Sequence, residues 1–401
     1  MRISFSPPDI TALEINEVVE ALRSGWITTG PRTKRFEKMI AEYCGTPRAV
    51  AVNSCTAALE LVLRYLGIGP GDEVIVPAYT YTATASVVCH VGATPVLCDV
   101  AEGEFHLDYD GIARRITPRT KAVIPVDIGG VMVDYEKVFA AVESGKALFE
   151  PANDIQAAYG RVAVISDSAH SFGARRNGLR AGACADFSAF SFHAVENLTT
   201  AEGGAITWRH CEAFDDDERY KWFMLYSLHG QNKDALAKTQ LGSWEYDIVY
   251  PAYKCNMTDV TAAIGIVQLE RFDGLMQRRR SIIRAYDEAL LPLGVDRLDH
   301  FPESGEGNGH LYMMRVPGAT EQQRNDIIVK MAEAGVACNV HFKPLPMLSA
   351  YKNMGFDIGD YPNAYAQYRN EITLPVHTLL TDEEVGYVIG SMGEILRGRA
   401  R

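Results

Sequence analysis

Between about residue 47 and residue 207, short apolar runs rich in β-branched residues alternate with longer stretches of helical periodicity. That alternation limits the fold more than any other feature, because it is the pattern of a largely parallel sheet with helices packed on it. The strand candidates are AVAVN (49–53), EVIVP (73–77), PVLCDV (95–100), AVIPVD (122–127), VAVISD (162–167), FSAFSF (187–192) and GAITW (204–208). Several are apolar from end to end, as strands covered on both faces tend to be. FEPANDIQAAYG (149–160) reads as an excursion inserted before the strand candidate VAVISD.

A chain of 401 residues exceeds one core of ordinary size, so a large α/β domain with a smaller partner is expected. After residue 250 the texture changes: Leu269, Phe272 and Met276 recur at helical spacing and predict a long helix leading out of the large domain. We place the large domain at 1–250 and a smaller α+β domain at 251–401. The latter should hold the strand LYMMRV (311–316), a helix starting near Thr320, and the stretch VACNVHFKPLP (336–346).

A formal net charge of -12 argues against a protein that tracks a nucleic acid backbone, work that needs an excess of Lys and Arg. The cluster Arg278, Arg279 and Arg280 reads as the solvated face of a helix. No apolar run is long enough to cross a bilayer, and the N-terminal segment lacks the pattern of a signal peptide. Eight scattered cysteines form no C-x-x-C pair, and ten histidines form no H-x-H or H-E-x-x-H pair. A reduced, cytoplasmic enzyme with no metal is the simplest reading.

In open parallel sheets, ligands bind where strands end and helices begin. In NSCTAALEL (53–61), Ser54, Cys55 and Thr56 open a helix, where hydroxyls, backbone N–H groups and the helix dipole suit a phosphate. The segment suits an ordinary N-cap equally well. In VAVISDSAHSFGA (162–174), Asp167 ends a strand and precedes His170, a pairing that would hold a protonated ring nitrogen or merely cap a turn. In PAYTYTATASVV (77–88), Tyr79 and Tyr81 offer aromatic faces to a flat ligand, or simple packing. A phosphate cradle, an aromatic plate and a ring-nitrogen acid together describe a pyridoxal phosphate site without its lysine.

The order and wording of these segments resemble the DegT/DnrJ/StrS-type nucleotide-sugar aminotransferases, which have the aspartate-aminotransferase fold (fold type I). The resemblance runs through GWITTGP (25–31), NSCTAAL, PAYTYTATA, DSAHSFGA, FSFHAVENLTTAEGGA, YKCNMTDVTAAIG (253–265), VHFKPLP and ITLPVH (372–377). It implies a mostly parallel seven-stranded sheet, pyridoxal 5'-phosphate and pyridoxamine 5'-phosphate as cofactor forms, and a homodimer with shared active sites. Asp167 would pair with the pyridinium nitrogen, His170 would sit by the phenolic oxygen, and Tyr81 would stack on the ring. Ser54, Cys55, Thr56, Ser191 and His193 would surround the cofactor, with Asn256 reaching in from the other subunit. Thr29, Tyr79, Lys254, His341 and Lys343 would face the substrate.

In this family the segment from Ser191 reads S-F-H-x-x-K, and the lysine forms a Schiff base with the cofactor. Here that position is Glu196. The lysine is both covalent anchor and proton-transfer base, and a carboxylate can take a proton but cannot form a Schiff base. Two readings stand: a substitution that traps pyridoxamine phosphate or an external aldimine, or a natural departure such as a ketosugar dehydratase or a noncatalytic cofactor-binding protein. The surrounding LTTAEGG is that of an ordinary aminotransferase and favours the first. Replacement of the lysine by Lys254 would require a shifted backbone. The implied activity of the lysine-bearing sequence is transfer of an amino group from L-glutamate to a nucleotide-linked 4-keto-6-deoxy sugar.

Other enzyme classes fit less well. GIGPG (67–71) precedes a strand instead of following one, so the dinucleotide fingerprint is absent, and no G-x-S-x-G elbow occurs.

Overall fold

The computed structural model describes residues 1–232 and 245–399. Its centre is a seven-stranded sheet of β1 (Ala49–Val52), β2 (Glu73–Pro77), β3 (Thr94–Cys98), β4 (Thr120–Val123), β5 (Ala163–Asp167), β6 (Phe187–Ser191) and β7 (Gly204–Trp208). The spatial order is β1-β7-β6-β5-β4-β2-β3, and only β7 runs antiparallel to its neighbours. Each expected strand is present, those at 73–77 and 204–208 with the expected ends and the others with shifted ones. The fourth stops at Val123, short of the expected 127, because Pro125 has no N–H to give the ladder; its carbonyl instead accepts from Asp167 N–H at 2.9 Å.

Helices α1 (Ala12–Arg23), α2 (Pro31–Cys44), α3 (Cys55–Tyr65) and α4 (Ala83–His90) lead toward the sheet and cover it. Two apolar clusters lie on its two faces, one centred on Val50, Leu59, Val76 and Phe187, the other on Phe36, Ile75, Val164 and Phe272. The excursion before β5 contains a short helix, Asp154–Tyr159, capped by Asn153 and tied down by Gln156, which donates to the Leu66 carbonyl at 2.9 Å.

One 32-residue helix, α5 (Asp259–Leu290), links the sheet to a third cluster. Ala262, Ile266, Leu269, Phe272 and Met276 pack with the sheet, whereas Ile282, Ile283, Tyr286 and Leu290 pack with Tyr312, Met314, Ile372 and Val388. The third cluster also takes Ile3 from the start of the chain. It is built on a three-stranded sheet of β8 (Asp296–Arg297), β9 (Tyr312–Arg315) and β10 (Glu371–Leu374), with α6 (Glu321–Glu333), capped by Thr320, and α7 (Asp382–Arg399) against it.

The three consecutive arginines do not form one solvated face. Successive side chains on a helix point about 100° apart, and α5 is covered on its inner side here. Arg278 pairs with Asp382 at 2.7 Å and Arg280 with Glu306 at 3.0 Å, but Arg279 is buried and donates to the Val376 carbonyl at 2.9 Å.

Candidate active site

The C-terminal ends of β5 and β6 and the N-terminus of α3 open onto a cavity of about 460 Å³. Ser54, Cys55, Thr56, Tyr81, Asp167, His170, Ser191, His193, Glu196 and His341 all line it, so ten of the expected site residues converge on one space.

Ser54 caps α3, its hydroxyl oxygen accepting from the Ala57 N–H at 3.1 Å. Gly203 and Gly204 pass close by, and a Cβ on Gly204 would stand 2.6 Å from the Cys55 nitrogen. The backbone therefore approaches the helix N-terminus more closely than a side chain allows, and that terminus carries the positive end of the dipole.

Asp167 forms the buried floor. Its Oδ2 accepts from the Thr84 hydroxyl at 2.7 Å and its Oδ1 from the Ala169 N–H at 3.2 Å. Desolvation raises its pKa, and the opposing influences are hydrogen bonds from Thr84, Ala169 and Cys55, with no cation among them. A protonated ring nitrogen would supply the missing positive charge. Cys55 stays a thiol, since burial and the neighbouring Asp167 push its pKa well up.

His170 lies over the floor, its ring stacked on Phe342 at a centroid distance of 5.9 Å. Its Nδ1 accepts the Gly129 N–H at 3.1 Å. In the neutral ring the hydrogen must then sit on Nε2, which makes His170 a donor toward an anionic oxygen. Burial holds its pKa down to about 3, so the neutral form persists at ordinary pH.

Two residues that pattern alone did not single out complete this wall. His310 follows Gly309, which takes the left-handed φ of 72°. The His310 Nδ1 lies 3.0 Å from Asn197 Oδ1, and its Nε2 lies 3.4 Å from Glu196 Oε2. Asn308 Nδ2 donates to the carbonyls of His170 at 2.6 Å and Phe172 at 3.0 Å, tying the His310 segment to the turn after β5. The only local signal for them was the polar run NGH directly before an apolar strand.

One ring nitrogen each of His170 and His310 and a carboxylate oxygen of Glu196 lie within 4.8 Å of one another, a spacing that would admit a metal ion. The hydrogen bonds point elsewhere. A ligating imidazole donates its second N–H outward, whereas the outer nitrogen of His170 accepts one from Gly129.

Five expected site residues lie elsewhere in the single chain. Tyr79 is 1% exposed and its hydroxyl donates to the His341 carbonyl, so it supports the cavity wall without facing a ligand. This corrects its expected place against substrate; the strand ends at Pro77, and the bend that follows it turns Tyr79 inward and leaves Tyr81 61% exposed at the rim. Thr29, Lys254 and Asn256 form a separate cluster: Lys254 donates to Asn256 Oδ1, Asn256 donates to the Thr29 hydroxyl, and Thr29 donates to the Met257 carbonyl at 2.6 Å. Lys343 is exposed and outside the cavity lining, and Lys254 lies in the separate cluster of the single chain. His341 does line the cavity, held by its N–H to Glu371 Oε2 at 2.9 Å and by Nδ1 to the Thr373 hydroxyl at 2.9 Å.

Similar proteins agree with this geometry. The profile of the DegT/DnrJ/EryC1/StrS aminotransferase family matches residues 8–393. The spore coat polysaccharide biosynthesis protein SpsC of Bacillus subtilis is 36% identical, with 99% of this chain and 97% of that protein covered. The pyridoxamine phosphate form of the sugar aminotransferase Spr1654 from Streptococcus pneumoniae superposes with a TM-score of 0.97 at 54% identity, covering 99% of this chain and all of that one. Helicobacter pylori PseC, an aminotransferase involved in the biosynthesis of pseudoaminic acid, gives 0.85 at 25% identity, covering 99% and 100%. A helix N-terminus for phosphate, a buried carboxylate for the ring nitrogen and an imidazole donor beside it fit pyridoxal phosphate, the cofactor of such enzymes. The chain belongs to the DegT/DnrJ/EryC1/StrS aminotransferase family.

Proposed function

We propose that the lysine-bearing form of this chain moves an amino group from L-glutamate to a nucleotide-linked 4-keto-6-deoxy sugar, and that Glu196 disables its turnover. The observation that carries the reading is the convergence of Asp167, His170 and the α3 N-terminus on one cavity that, among the described residues, no lysine lines. The relatives named for spore coat polysaccharide and pseudoaminic acid biosynthesis support a sugar substrate for a surface glycan.

Pyridoxal phosphate, when bound, supplies a carbonyl that takes up and returns the amino group and a ring that accepts electrons. Asp167 would keep the ring nitrogen protonated, and His170 Nε2–H would donate to the phenolic oxygen. Ser54, Cys55, Thr56 and Ser191 would hold the phosphate beside the helix N-terminus, with His193 near them. Tyr81 would cover the ring face. His341, and Lys343 from the segment after it, would meet the sugar nucleotide. Glu196 leaves the cofactor without a covalent anchor, so the protein would hold pyridoxamine phosphate or a cofactor–product adduct.

A homodimer would bring Thr29, Lys254 and Asn256 of a second copy to the cavity. What supports this is a run of exposed apolar side chains beside that cluster: Ile27 is 54% exposed, Tyr246 50%, Ile248 48% and Val249 47%. A cytoplasmic location is supported by the eight cysteines, all free. The test is to incubate Glu196→Lys protein with pyridoxal phosphate, L-glutamate and a panel of nucleotide-linked ketosugars, following products by mass spectrometry. An amino sugar formed by the lysine version and not by the Glu196 protein supports the reading; no amine from any ketosugar contradicts it.

A further inference from the structure

His310 and Glu196 meet through two atoms that each carry a lone pair. Asn197 Nδ2 donates to the Asn308 carbonyl at 3.1 Å, which fixes the amide and turns Oδ1 toward His310. His310 Nδ1, 3.0 Å from that oxygen, must carry the ring hydrogen, leaving Nε2 as an acceptor. Nε2 faces Glu196 Oε2 at 3.4 Å, with the side chains 4% and 9% exposed. Among the described residues Glu196 Oε2 has no hydrogen-bond partner. Two buried acceptors in contact need one proton between them.

We propose that Glu196 and His310 share one proton and form a proton-transfer pair in the place where related chains use lysine. The surrounding charges keep that proton on the carboxyl. Burial and the neighbouring Asp167 disfavour a carboxylate at Glu196, against a lesser opposing pull from the Ser191 hydrogen bond and the Arg279 charge, and its pKa stands at about 8. Burial, His170, Arg279, His341 and His300 all disfavour an imidazolium at His310. Cys55, the remaining titratable group coupled to Glu196, is a neutral thiol.

The inference rests on the functional reading above for the substrate, and goes beyond it in giving Glu196 a task. Pyridoxal phosphate, when bound, would supply a ring able to take up the electron pair of a breaking amino-acid C–H bond. The proton would form an O–H bond with Glu196 Oε2 in its carboxylate form, which grows as pH rises toward 8, and would then be shared with the lone pair of His310 Nε2, so no imidazolium is needed. The reverse transfer restores both groups with no net redox change. His310 acts as a positioning residue and hydrogen-bond acceptor, and covalent anchoring stays lost.

The first arm of the test needs no cofactor. Infrared difference spectra of wild type against Glu196→Gln, taken from pH 6 to pH 9, isolate this carboxyl from that of Glu371, which is also buried and has a pKa of about 8. The expected result is a protonated-carboxyl band at pH 7 that fades near pH 8, with the band moved in His310→Gln. No such band at pH 7 overturns the proposal. The second arm follows deuterium entry at the α-carbon of L-glutamate with added pyridoxal phosphate, cofactor binding being read separately by fluorescence. Glu196→Gln should exchange at least about 10-fold more slowly and His310→Gln should shift the pH profile; equal rates in wild type and Glu196→Gln overturn it. A wild type that fails to bind pyridoxal phosphate would sink the functional reading, and the infrared arm would still decide the pair.

Discussion

The Thr84 hydroxyl donates to Asp167 Oδ2 at 2.7 Å, from the first turn of α4 to the last residue of β5. It is the shortest polar link holding the buried carboxylate at the cavity floor. Thr84→Val removes the donor with little change of shape, so Asp167 loses a bond that favours its ionised form and becomes harder to charge. Pyridoxal phosphate affinity should drop about 10-fold, near 1.4 kcal/mol, measured by fluorescence titration. Unchanged affinity would mean that the Ala169 N–H and the cofactor suffice to place Asp167.

Tyr79 and Tyr81 should separate stability from binding. Tyr79→Phe leaves the buried His341 carbonyl short of a donor and should cost about 1 kcal/mol of folding stability, read from urea unfolding. Tyr81→Ala removes a side chain that is 61% exposed, so stability should change by less than about 0.5 kcal/mol. Cofactor affinity should nevertheless fall several-fold, through loss of a stacking face. A Tyr81 variant that destabilises the fold and spares the cofactor would reverse the two assignments.

Much of this was legible because the information is local. A strand ending in Asp167, a hydroxyl-rich helix start at Ser54 and a Glu at position 196 are each contained within a few residues. His310 and Arg279 were not legible, because their surroundings are assembled from distant segments. His310 meets Glu196 across more than a hundred residues of chain, and Arg279 is buried only because α5 spans two apolar clusters. Tyr79 was misread for a related reason: two tyrosines two residues apart seem equivalent in sequence until the strand end decides which one turns inward.

Stability should depend on pH through opposed sets of buried groups. Glu196 and Glu371 have folded pKa values raised to about 8 by burial, against 4.5 for an ordinary glutamate. Their contribution is fully present below pH 4.5 and is lost as pH rises through 8, at roughly 1.4 kcal/mol per pH unit for each group at most. The buried histidines act in the other direction. Burial lowers His170 to about 3 and His341 to about 4, so their contribution is lost as pH falls below 6.5 toward those values. Glu196→Gln removes one member of the first set, and thermal unfolding should show a smaller fall in Tm from pH 6 to pH 8.5 than in wild type. Parallel Tm curves for the two proteins would mean that Glu196 titrates alike in the folded and unfolded chain.

The central claim is that an aminotransferase site is complete here except for its lysine, and the visible absorption spectrum tests it most directly. Wild type and Glu196→Lys proteins would be mixed with pyridoxal phosphate and scanned before and after addition of L-glutamate. The account predicts a Schiff-base band in the lysine protein alone, converted by glutamate to the pyridoxamine phosphate spectrum. A lysine protein that shows no such band, or one that glutamate leaves unchanged while the Glu196 protein processes a ketosugar with added pyridoxamine phosphate, would contradict it.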